Sequence, residues 1–337
     1  MQLIVVTKTF WSDVGAANAA REVTKELVKL GVELVAVVHA DSYVNSLHEP
    51  IPDKTPISID IKHNLIARVP PISRYLISRR AAKVLKLIQK DFGDDCVIHS
   101  HNLFPSVFSG SDHEETKAVF VTTLHGTAEG EIERFKNEMP VHPRELLYRL
   151  AYISSVYTYG AFLRHSKGHF IASSPNNARK IMRKGLPKSR VHVIPNGVNL
   201  NIFKPYDRNE ARKQLSLPTD KLIVLTINAI QPRKGLHTLI KAARSVVRDV
   251  PEAYFVIVGK TSPNGLWYMT YLWKLIGKFG LNKHFKFTGF VPKEELPLYM
   301  GAADMFTLAS YSEGAPLVVP NAMACSRAVI ATQTAAA

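Results

Sequence analysis

The chain has 337 residues, of which 46% are hydrophobic and 21% are charged. These are the proportions of an ordinary folded chain, long enough for about two domains. No run of about 18 uncharged apolar residues occurs, so we expect no membrane-spanning helix. The formal net charge of +15 favours an anionic partner, which is a nucleic acid, a phospholipid surface or a phosphorylated substrate.

The amino terminus predicts a cytoplasmic protein. The opening MQLIVVTKTF lacks the basic start and the cleavage site of a signal peptide, and its pattern predicts a first strand. Cys96 and Cys325 are the only cysteines, and no metal-ligand spacing surrounds either. Buried thiols are therefore favoured over a disulfide or a zinc site.

The first half of the chain alternates predicted strands and helices. The strands are predicted over 3–7, 32–38, 96–99, 119–124, 170–173 and 191–194, and the helices over 16–30, 143–165 and 176–184. This alternation predicts a doubly wound parallel sheet. Only Gly15 precedes the first helix, where a dinucleotide fingerprint needs Gly-x-Gly-x-x-Gly, so a Rossmann dehydrogenase is not expected.

The segment 62–90 is strongly basic, with eight Lys or Arg residues and no acid. After Pro71 the pattern predicts an amphipathic helix. Its apolar stripe contains Ile77, Ala81, Val84 and Ile88, and its cationic stripe contains Arg79, Lys83, Lys86 and Lys90. The cationic stripe is either a solvated face or a surface for anionic lipid headgroups at the inner membrane face.

Histidines follow two strands of the predicted first sheet. His101 comes just after strand 96–99, and His125 just after strand 119–124. The carboxyl ends of parallel strands share one edge, where open α/β sheets bind ligands. Each of these two histidines is therefore a candidate for a ligand site or for a structural role, whereas His99 is predicted to be structural.

The second half restarts the same alternation. Strands are predicted over 222–227, 253–258, 285–288, 305–309 and 328–331, with helices over 235–247 and 317–325. An Asn-Gly turn signal at 196–197 sets the predicted domain limits at 1–195 and 196–337. The sequence thus predicts two doubly wound domains with a cleft between them. The aromatic cluster 267–273 is interpreted as helix core or cleft lining, with base stacking as the alternative.

Glu313 lies in the loop that joins strand 305–309 to helix 317–325. Helix amino termini at such an edge favour anions. A carboxylate there would repel a phosphate unless it accepted hydrogen bonds from hydroxyl groups. A phosphorylated sugar satisfies both requirements.

Three stretches carry a resemblance to a known family. SEGAPLVVPNAMACSRAVIAT resembles the Glu-x7-Glu signature of family 4 retaining glycosyltransferases, NAIQPRKG resembles their Gly-Arg-x4-Lys-Gly phosphate clamp, and IPNGVN resembles their interdomain joint. The resemblance implies the α/β GT-B fold, with two Rossmann-like domains facing a cleft. The sequence stops at ATQTAAA, where the family continues, so an incomplete second domain is expected.

The resemblance also implies roles for particular residues. His125 is expected beside the transferred sugar and Glu313 on its hydroxyls, and these two are the catalytic candidates. The expected donor-binding residues are Gly15, Arg233, Lys234, Gly289, Phe290, Val291, Gly314, Ala315, Pro316, Leu317 and Asn321. No metal or cofactor is expected, and the donor is expected to be a UDP- or GDP-linked sugar.

The sequence departs from the family at two positions. Asn321 stands where the family has its second Glu, and Ala229 stands where the clamp has its arginine. Arg233 or Arg327 could replace that arginine, although Arg233 could equally face solvent.

The function predicted is transfer of a hexose, with retention, from a nucleotide diphosphate sugar to a lipid-linked or saccharide acceptor. The alternative is a catalytically impaired homologue that serves as a binding or partner subunit. Nucleic-acid binding is not expected, because no motif of that class occurs.

Overall fold

The computed structural model describes residues 1–7, 15–39, 57–60, 70–88, 96–102, 118–126, 159–261 and 265–333. The described residues divide into two compact units. The first ends at Asn196 and the second begins at Gly197. Each unit is built on a parallel sheet of its own.

Unit 1 has a sheet in which seven described strands run parallel. They are β1 (Gln2–Thr7), β2 (Glu33–His39), β3 (Ile57–Asp60), β4 (Cys96–His101), β5 (Val119–Leu124), β6 (His169–Ala172) and β7 (Val191–Val193). The spatial order is β3-β2-β1-β4-β5-β6-β7. Because β1 and β4 are adjacent while the chain leaves β1 for β2, the order reverses between β1 and β4.

The described helices of unit 1 are α1 (Gly15–Lys29), α2 (Pro70–Ile88) and α3 (Pro175–Met182), and residues 159–165 are also helical. Helix α2 confirms the predicted amphipathic pattern. Ile77 and Ala81 are fully buried, whereas Arg79 and Lys83 are exposed. The core beneath α2 also contains Ile4 and Ile98 from the sheet.

Unit 2 repeats this arrangement, with five parallel strands among its described residues. They are β8 (Leu222–Ile227), β9 (Ala253–Val258), β10 (Phe285–Gly289), β11 (Met305–Leu308) and β12 (Ala328–Ala331). Its helices are α4 (Arg208–Gln214), α5 (Leu236–Asp249), α6 (Leu266–Lys278), α7 (Leu296–Ala302) and α8 (Val318–Ala324). The order β10-β9-β8-β11-β12 reverses between β8 and β11.

Both sheets therefore have the topological switch point at which doubly wound folds bind ligands. In unit 1 it lies at the carboxyl ends of β1 and β4, and in unit 2 at the carboxyl ends of β8 and β11. Strand β4 extends further than predicted, so His101 is its last residue, whereas His125 follows β5 and Glu313 follows β11.

Three described elements, β3, α4 and α7, were not predicted. Strand β3 is short and partly polar, and α7 has only seven residues. Helix α4 has a polar sequence, and Asp207 Oδ1 caps it by accepting the backbone N–H of Glu210 at 2.8 Å. The aromatic cluster 267–273 lies in α6 and Tyr268 is fully buried there, in agreement with its interpretation as helix core. Within the described ranges, no helix is long and apolar enough to cross a bilayer.

Candidate active site

The loops that follow β8 and β11 are held together at the switch point of unit 2. The backbone N–H of Tyr311 donates to the carbonyl oxygen of Arg233 at 2.9 Å. Gly235 has φ +65°, and a Cβ at this position would lie 1.9 Å from the carbonyl oxygen of Ala309. Glycine is therefore required where the two loops touch.

The closest charged contact of this site joins the same two loops. Lys234 Nζ lies 2.5 Å from Glu313 Oε1, and Arg233 Nη1 lies 3.7 Å from Glu313 Oε2. The exposed fractions of these side chains are 8% for Glu313, 12% for Lys234 and 26% for Arg233. A largely buried carboxylate thus lies against two cations, although these residues are about 80 positions apart in the chain.

A chain of hydrogen bonds supports the Glu313 loop from behind. His237, in the first turn of α5, is 1% exposed. Its Nδ1 lies 2.8 Å from Tyr268 Oη and its Nε2 lies 3.1 Å from Tyr311 Oη, which in turn lies 2.5 Å from Thr238 Oγ1. Tyr311 is only two residues before Glu313, so the network fixes the start of that loop.

The protonation of this network follows from its contacts. Tyr268 Oη already accepts the backbone N–H of His237 at 3.3 Å, so it can give its own proton to His237 Nδ1. Nε2–H then donates to Tyr311, and Tyr311 donates to Thr238, so the imidazole N–H and both tyrosine hydroxyls each have an acceptor. Burial, with a smaller contribution from Lys241, lowers the pKa of His237 to about 4, so the imidazole is neutral at pH 7.

The predicted residues after β10 lie on the same edge of the sheet. Gly289 has φ +77° and its carbonyl oxygen accepts the backbone N–H of Gly259 at 2.9 Å. Phe290 is 56% exposed, and Lys260 Nζ lies 5.1 Å from the centre of its ring. An exposed aromatic face beside a cation is therefore present at the ends of β9 and β10. Val291 instead packs against the core of unit 2.

The predicted residues 314–317 lead into α8. All of them are half-buried, and Leu317 is the amino-terminal cap of the helix. Asn321 is half-buried within α8 and its backbone makes helical hydrogen bonds.

The structure also separates the candidates for the missing clamp arginine. Ala229 is exposed in the loop after β8. Arg233 faces Glu313 as described, whereas Arg327 donates from Nε to the carbonyl oxygen of Cys325 at 2.9 Å and from Nη1 to that of Ala303 at 2.8 Å. Ala303 precedes β11, at the amino end of the sheet, so Arg327 points away from the Glu313 loop.

In unit 1, three histidines form a cluster at the ends of β4 and β5. His101 Nδ1 lies 2.8 Å from His125 Nε2, with the rings stacked at 5.1 Å. His99 Nε2 lies 2.7 Å from Thr123 Oγ1, and its ring centre is 4.3 Å from that of His101. Asn102, with φ 56°, accepts the backbone N–H of His125 at 3.0 Å. His101 and His125, each ambiguous in the sequence, are therefore direct partners.

Burial keeps this histidine cluster neutral. It lowers the pKa of His99 to about 4 and that of His125 to about 4, and it holds the pKa of His101 well below 6.5. Among the described residues, His101 Nε2 has no hydrogen-bond partner. An unpaired buried N–H costs more than an unpaired acceptor, so His101 carries its proton on Nδ1 and donates it to His125.

The other predicted residue of unit 1 is Gly15, which is the first residue of α1 rather than part of the preceding loop. Within the described part of the chain, no group of three or more His, Cys, Asp or Glu side chains is arranged to hold a metal ion.

Two family models match the chain. The model described as Glycosyltransferase Family 4 matches residues 14–202, and the model described as Glycosyl transferases group 1 matches residues 207–337. The first covers more than half of the chain. The chain belongs to glycosyltransferase family 4, as the sequence resemblance predicted.

Curated relatives agree with this assignment over part of the chain. A D-inositol 3-phosphate glycosyltransferase of Streptosporangium roseum is 32% identical over 166 residues, which are 48% of this chain and 38% of that protein. The enzyme of the same description from Mycobacterium bovis is 31% identical over 162 residues, 48% of this chain and 33% of the relative. The aligned parts thus span less than two fifths of these relatives.

Solved structures share the fold. Sucrose-phosphate synthase of Thermosynechococcus elongatus has a TM-score of 0.75 at 22% identity, covering 99% of this chain and 82% of its own. The Anabaena protein HepE, solved with UDP and glucose, has a TM-score of 0.72 at 19% identity, covering 100% and 82%. The fold is therefore that of GT-B glycosyltransferases, which confirms the predicted fold class.

Proposed function

We propose that this chain transfers a hexose from a nucleotide diphosphate sugar to a lipid-linked or saccharide acceptor, with retention at the sugar carbon. The observation that carries the proposal is the contact of Glu313 with Lys234 and Arg233 at the switch point of unit 2. Cations suit a diphosphate and a carboxylate suits sugar hydroxyls, so this small site has both groups that a nucleotide sugar needs.

In this proposal Lys234 and Arg233 bind the diphosphate. As the bond from the sugar carbon to the diphosphate breaks, negative charge grows on the leaving oxygen. The two fixed cations stabilise that charge, because they are already positioned in a largely buried site. Arg233 supplies the second positive group in place of the clamp arginine, whose position Ala229 occupies in this chain.

Glu313 orients the sugar by accepting hydrogen bonds from its hydroxyl groups. The backbone of 314–317 lies next to the diphosphate. Phe290 and the backbone of Gly289 and Val291 contact the nucleotide base, and Asn321 takes the place of the carboxylate that the family uses for the ribose. An amide can donate one hydrogen bond and accept another, but without charge.

His125 is proposed to act on the transferred sugar from unit 1. Since His101 donates to His125 Nε2, His125 carries its proton on Nδ1 and can donate a neutral hydrogen bond to a sugar oxygen. Its low pKa, about 4, keeps the imidazole neutral at pH 7, so this hydrogen bond places no positive charge beside the sugar. The retaining outcome and the place of His125 beside the sugar rest on the family resemblance.

The donor proposed is a UDP- or GDP-linked sugar. In support, two of the fold relatives are complexes of the Anabaena protein HepE with UDP and with UDP-glucose. For a lipid-linked acceptor, the exposed Arg79 and Lys83 of α2 would contact anionic headgroups. Sedimentation with phosphatidylglycerol vesicles tests this contact, and Arg79→Glu with Lys83→Glu should abolish it while binding to neutral vesicles stays absent.

The second candidate function is binding without turnover. Asn321 and Ala229 favour it, because each removes a charged group that the family uses on the donor. A chain of this kind would bind a nucleotide sugar and release no nucleotide.

The experiment that tests the proposal is nucleotide release from a panel of UDP-, GDP- and ADP-sugars by the 337-residue chain. We expect release from one donor class, reduced about a hundredfold or more in Glu313→Ala and in Lys234→Ala. The matched controls are Glu252→Ala and Lys278→Ala, two exposed residues of unit 2, which should keep the wild-type rate.

The results separate the two candidates. Binding of a donor with no release supports the binding subunit. No release from any donor, with a folded chain and no rise in melting temperature on adding nucleotide, would contradict both.

A further inference from the structure

We propose that Glu313 makes the site prefer a nucleotide sugar to the bare nucleoside diphosphate, so that the product leaves once the sugar has been transferred. This inference rests on the proposed function and adds a specificity role to one of its residues. It starts from the contacts of Glu313 with Lys234 and Arg233.

The carboxylate of Glu313 is placed where an incoming phosphate would need the cations. Glu313 is only 8% exposed, and its two oxygens lie 2.5 Å from Lys234 Nζ and 3.7 Å from Arg233 Nη1. A charge removed from water is weakly screened, so an anion that draws these cations away leaves the carboxylate poorly compensated. A bare diphosphate therefore binds at the cost of this contact.

A sugar on the diphosphate removes much of that cost. Its hydroxyl groups can donate to the oxygens of Glu313 and replace the hydrogen bond that Lys234 gave up. Hydrogen bonds to a charged acceptor are about twice as strong as those between neutral groups. The carboxylate then favours the donor and disfavours the same nucleotide without its sugar.

Transfer of the sugar reverses the balance. The bond between the sugar carbon and the diphosphate oxygen breaks, and its electron pair stays on that oxygen. The acceptor hydroxyl oxygen bonds to the same carbon, and its proton passes to the diphosphate or to solvent. Glu313 then faces a more negative anion and has lost its hydroxyl donors, so re-forming the contact with Lys234 promotes release.

The test is calorimetric titration of wild type and Glu313→Gln with UDP, UDP-glucose, GDP, GDP-mannose and inorganic pyrophosphate. Glutamine keeps the size of the side chain and removes its charge. We expect the nucleoside diphosphate to bind about tenfold more tightly to Glu313→Gln than to the wild type, and the nucleotide sugar about tenfold more weakly. Each tenfold change in affinity equals about 1.4 kcal/mol. Glu252→Gln, an exposed carboxylate before β9, should change neither.

A second variant guards against a folding defect. Glu313→Asp keeps the charge and shortens the side chain by one methylene group. This variant should still bind the bare nucleoside diphosphate weakly, and it should bind the nucleotide sugar less tightly than the wild type does. A melting curve for each variant shows that it is folded.

The outcomes separate this inference from the proposed function. If wild type binds a nucleotide sugar but Glu313→Gln changes both ligands in the same direction, the specificity role is wrong and the transferase proposal stands. If wild type binds no nucleotide sugar while Glu313→Gln gains binding of pyrophosphate, the carboxylate does shield the cations, but the donor assignment fails. If no variant binds any of the five ligands, both are wrong.

Discussion

The two units share one topology but differ in the chemistry of the edge where their strand order reverses. At this edge, unit 1 has three neutral imidazoles at the ends of β4 and β5, of which His101 contacts both His99 and His125. Unit 2 has a charged contact between Lys234 and Glu313, which follow β8 and β11. The comparison teaches that the doubly wound topology decides where a site can form, while the residues just after the strands decide which ligand it suits.

The difference predicts opposite responses to solution conditions. Neutral histidines are sensitive to acid, because protonation puts an uncompensated charge into a buried cluster. An ion pair between a lysine and a carboxylate instead responds to competing anions, which offer the lysine another partner. Three predictions, in order of decreasing effect, test this contrast.

Acid should weaken unit 1 more than unit 2. The pKa values of His99 and His125 are lowered in the folded chain to about 4, below the 6.5 of the unfolded chain. The unfolded state therefore takes up protons first, so stability is complete above pH 6.5 and falls as the pH drops toward 4. Each histidine contributes up to about 1.4 kcal/mol per pH unit. Among the described residues of unit 2, one histidine, His237, has such a lowered pKa.

We expect unit 1 to lose about 4 kcal/mol between pH 6.5 and pH 5, and unit 2 clearly less. Amide exchange of residues 96–102 and 222–227 in urea, corrected for intrinsic rates, measures the two losses separately. His165→Gln, which removes an exposed histidine from unit 1, should keep the acid response. Equal losses in both units would contradict the contrast.

Gly235→Ala should separate the two loops of the unit 2 site. The added methyl group would lie 1.9 Å from the carbonyl oxygen of Ala309, in a backbone with φ +65°. We expect unit 2 to lose about 3 kcal/mol, together with its nucleotide binding. Chemical denaturation and calorimetry measure the two effects.

Gly280→Ala is the matched control for this variant. Gly280 has φ +70° but nothing within 4 Å of the added atom, so the conformational cost alone should remain, about 1 kcal/mol. Similar losses in the two variants would mean that the contact between the loops has no special role.

Tyr311→Phe should have the smallest effect. It removes the hydroxyl that links His237 to Thr238 and keeps the ring and the backbone bond to Arg233. We expect a loss of about 1 kcal/mol in stability and a lower kcat/KM for the donor, because the start of the Glu313 loop is less well fixed. Tyr299→Phe, a partly buried tyrosine of α7, should leave kcat/KM unchanged.

Much of the fold was predictable because its strands are simple apolar runs between chain breakers. The predicted limits of β5, β8, β9 and β12 agree with the structure residue for residue. Helix α4 was missed because its sequence is polar and the only local sign of a helix is its amino-terminal cap, Asp207. Strand β3 was missed because it has only four residues, which is the shortest run in which alternation of apolar and polar side chains indicates a strand.

The site was predictable only in part, for a physical reason. Family resemblance singled out Lys234 and Glu313, but no local pattern brings together residues 79 positions apart. The network of His237, Tyr268 and Tyr311 was missed because its members lie on α5, α6 and a loop. The one available signal was a histidine two residues after the Lys234-Gly235 pair, in the first turn of a helix. Likewise, contact between His101 and His125 follows from parallel strands β4 and β5, which spacing alone does not reveal.

The central claim is that nucleotide sugar binds at the carboxyl edge of unit 2, against Lys234 and Glu313. Hydrogen exchange with and without UDP-glucose and GDP-mannose tests it most directly. We predict that one of these ligands slows exchange in residues 229–236 and 310–318 of the wild type, and that Lys234→Ala removes the effect. Slowed exchange confined to residues 96–102 and 118–126 of unit 1 would contradict the account. The same slowing of exchange in Lys234→Ala as in the wild type would also contradict it.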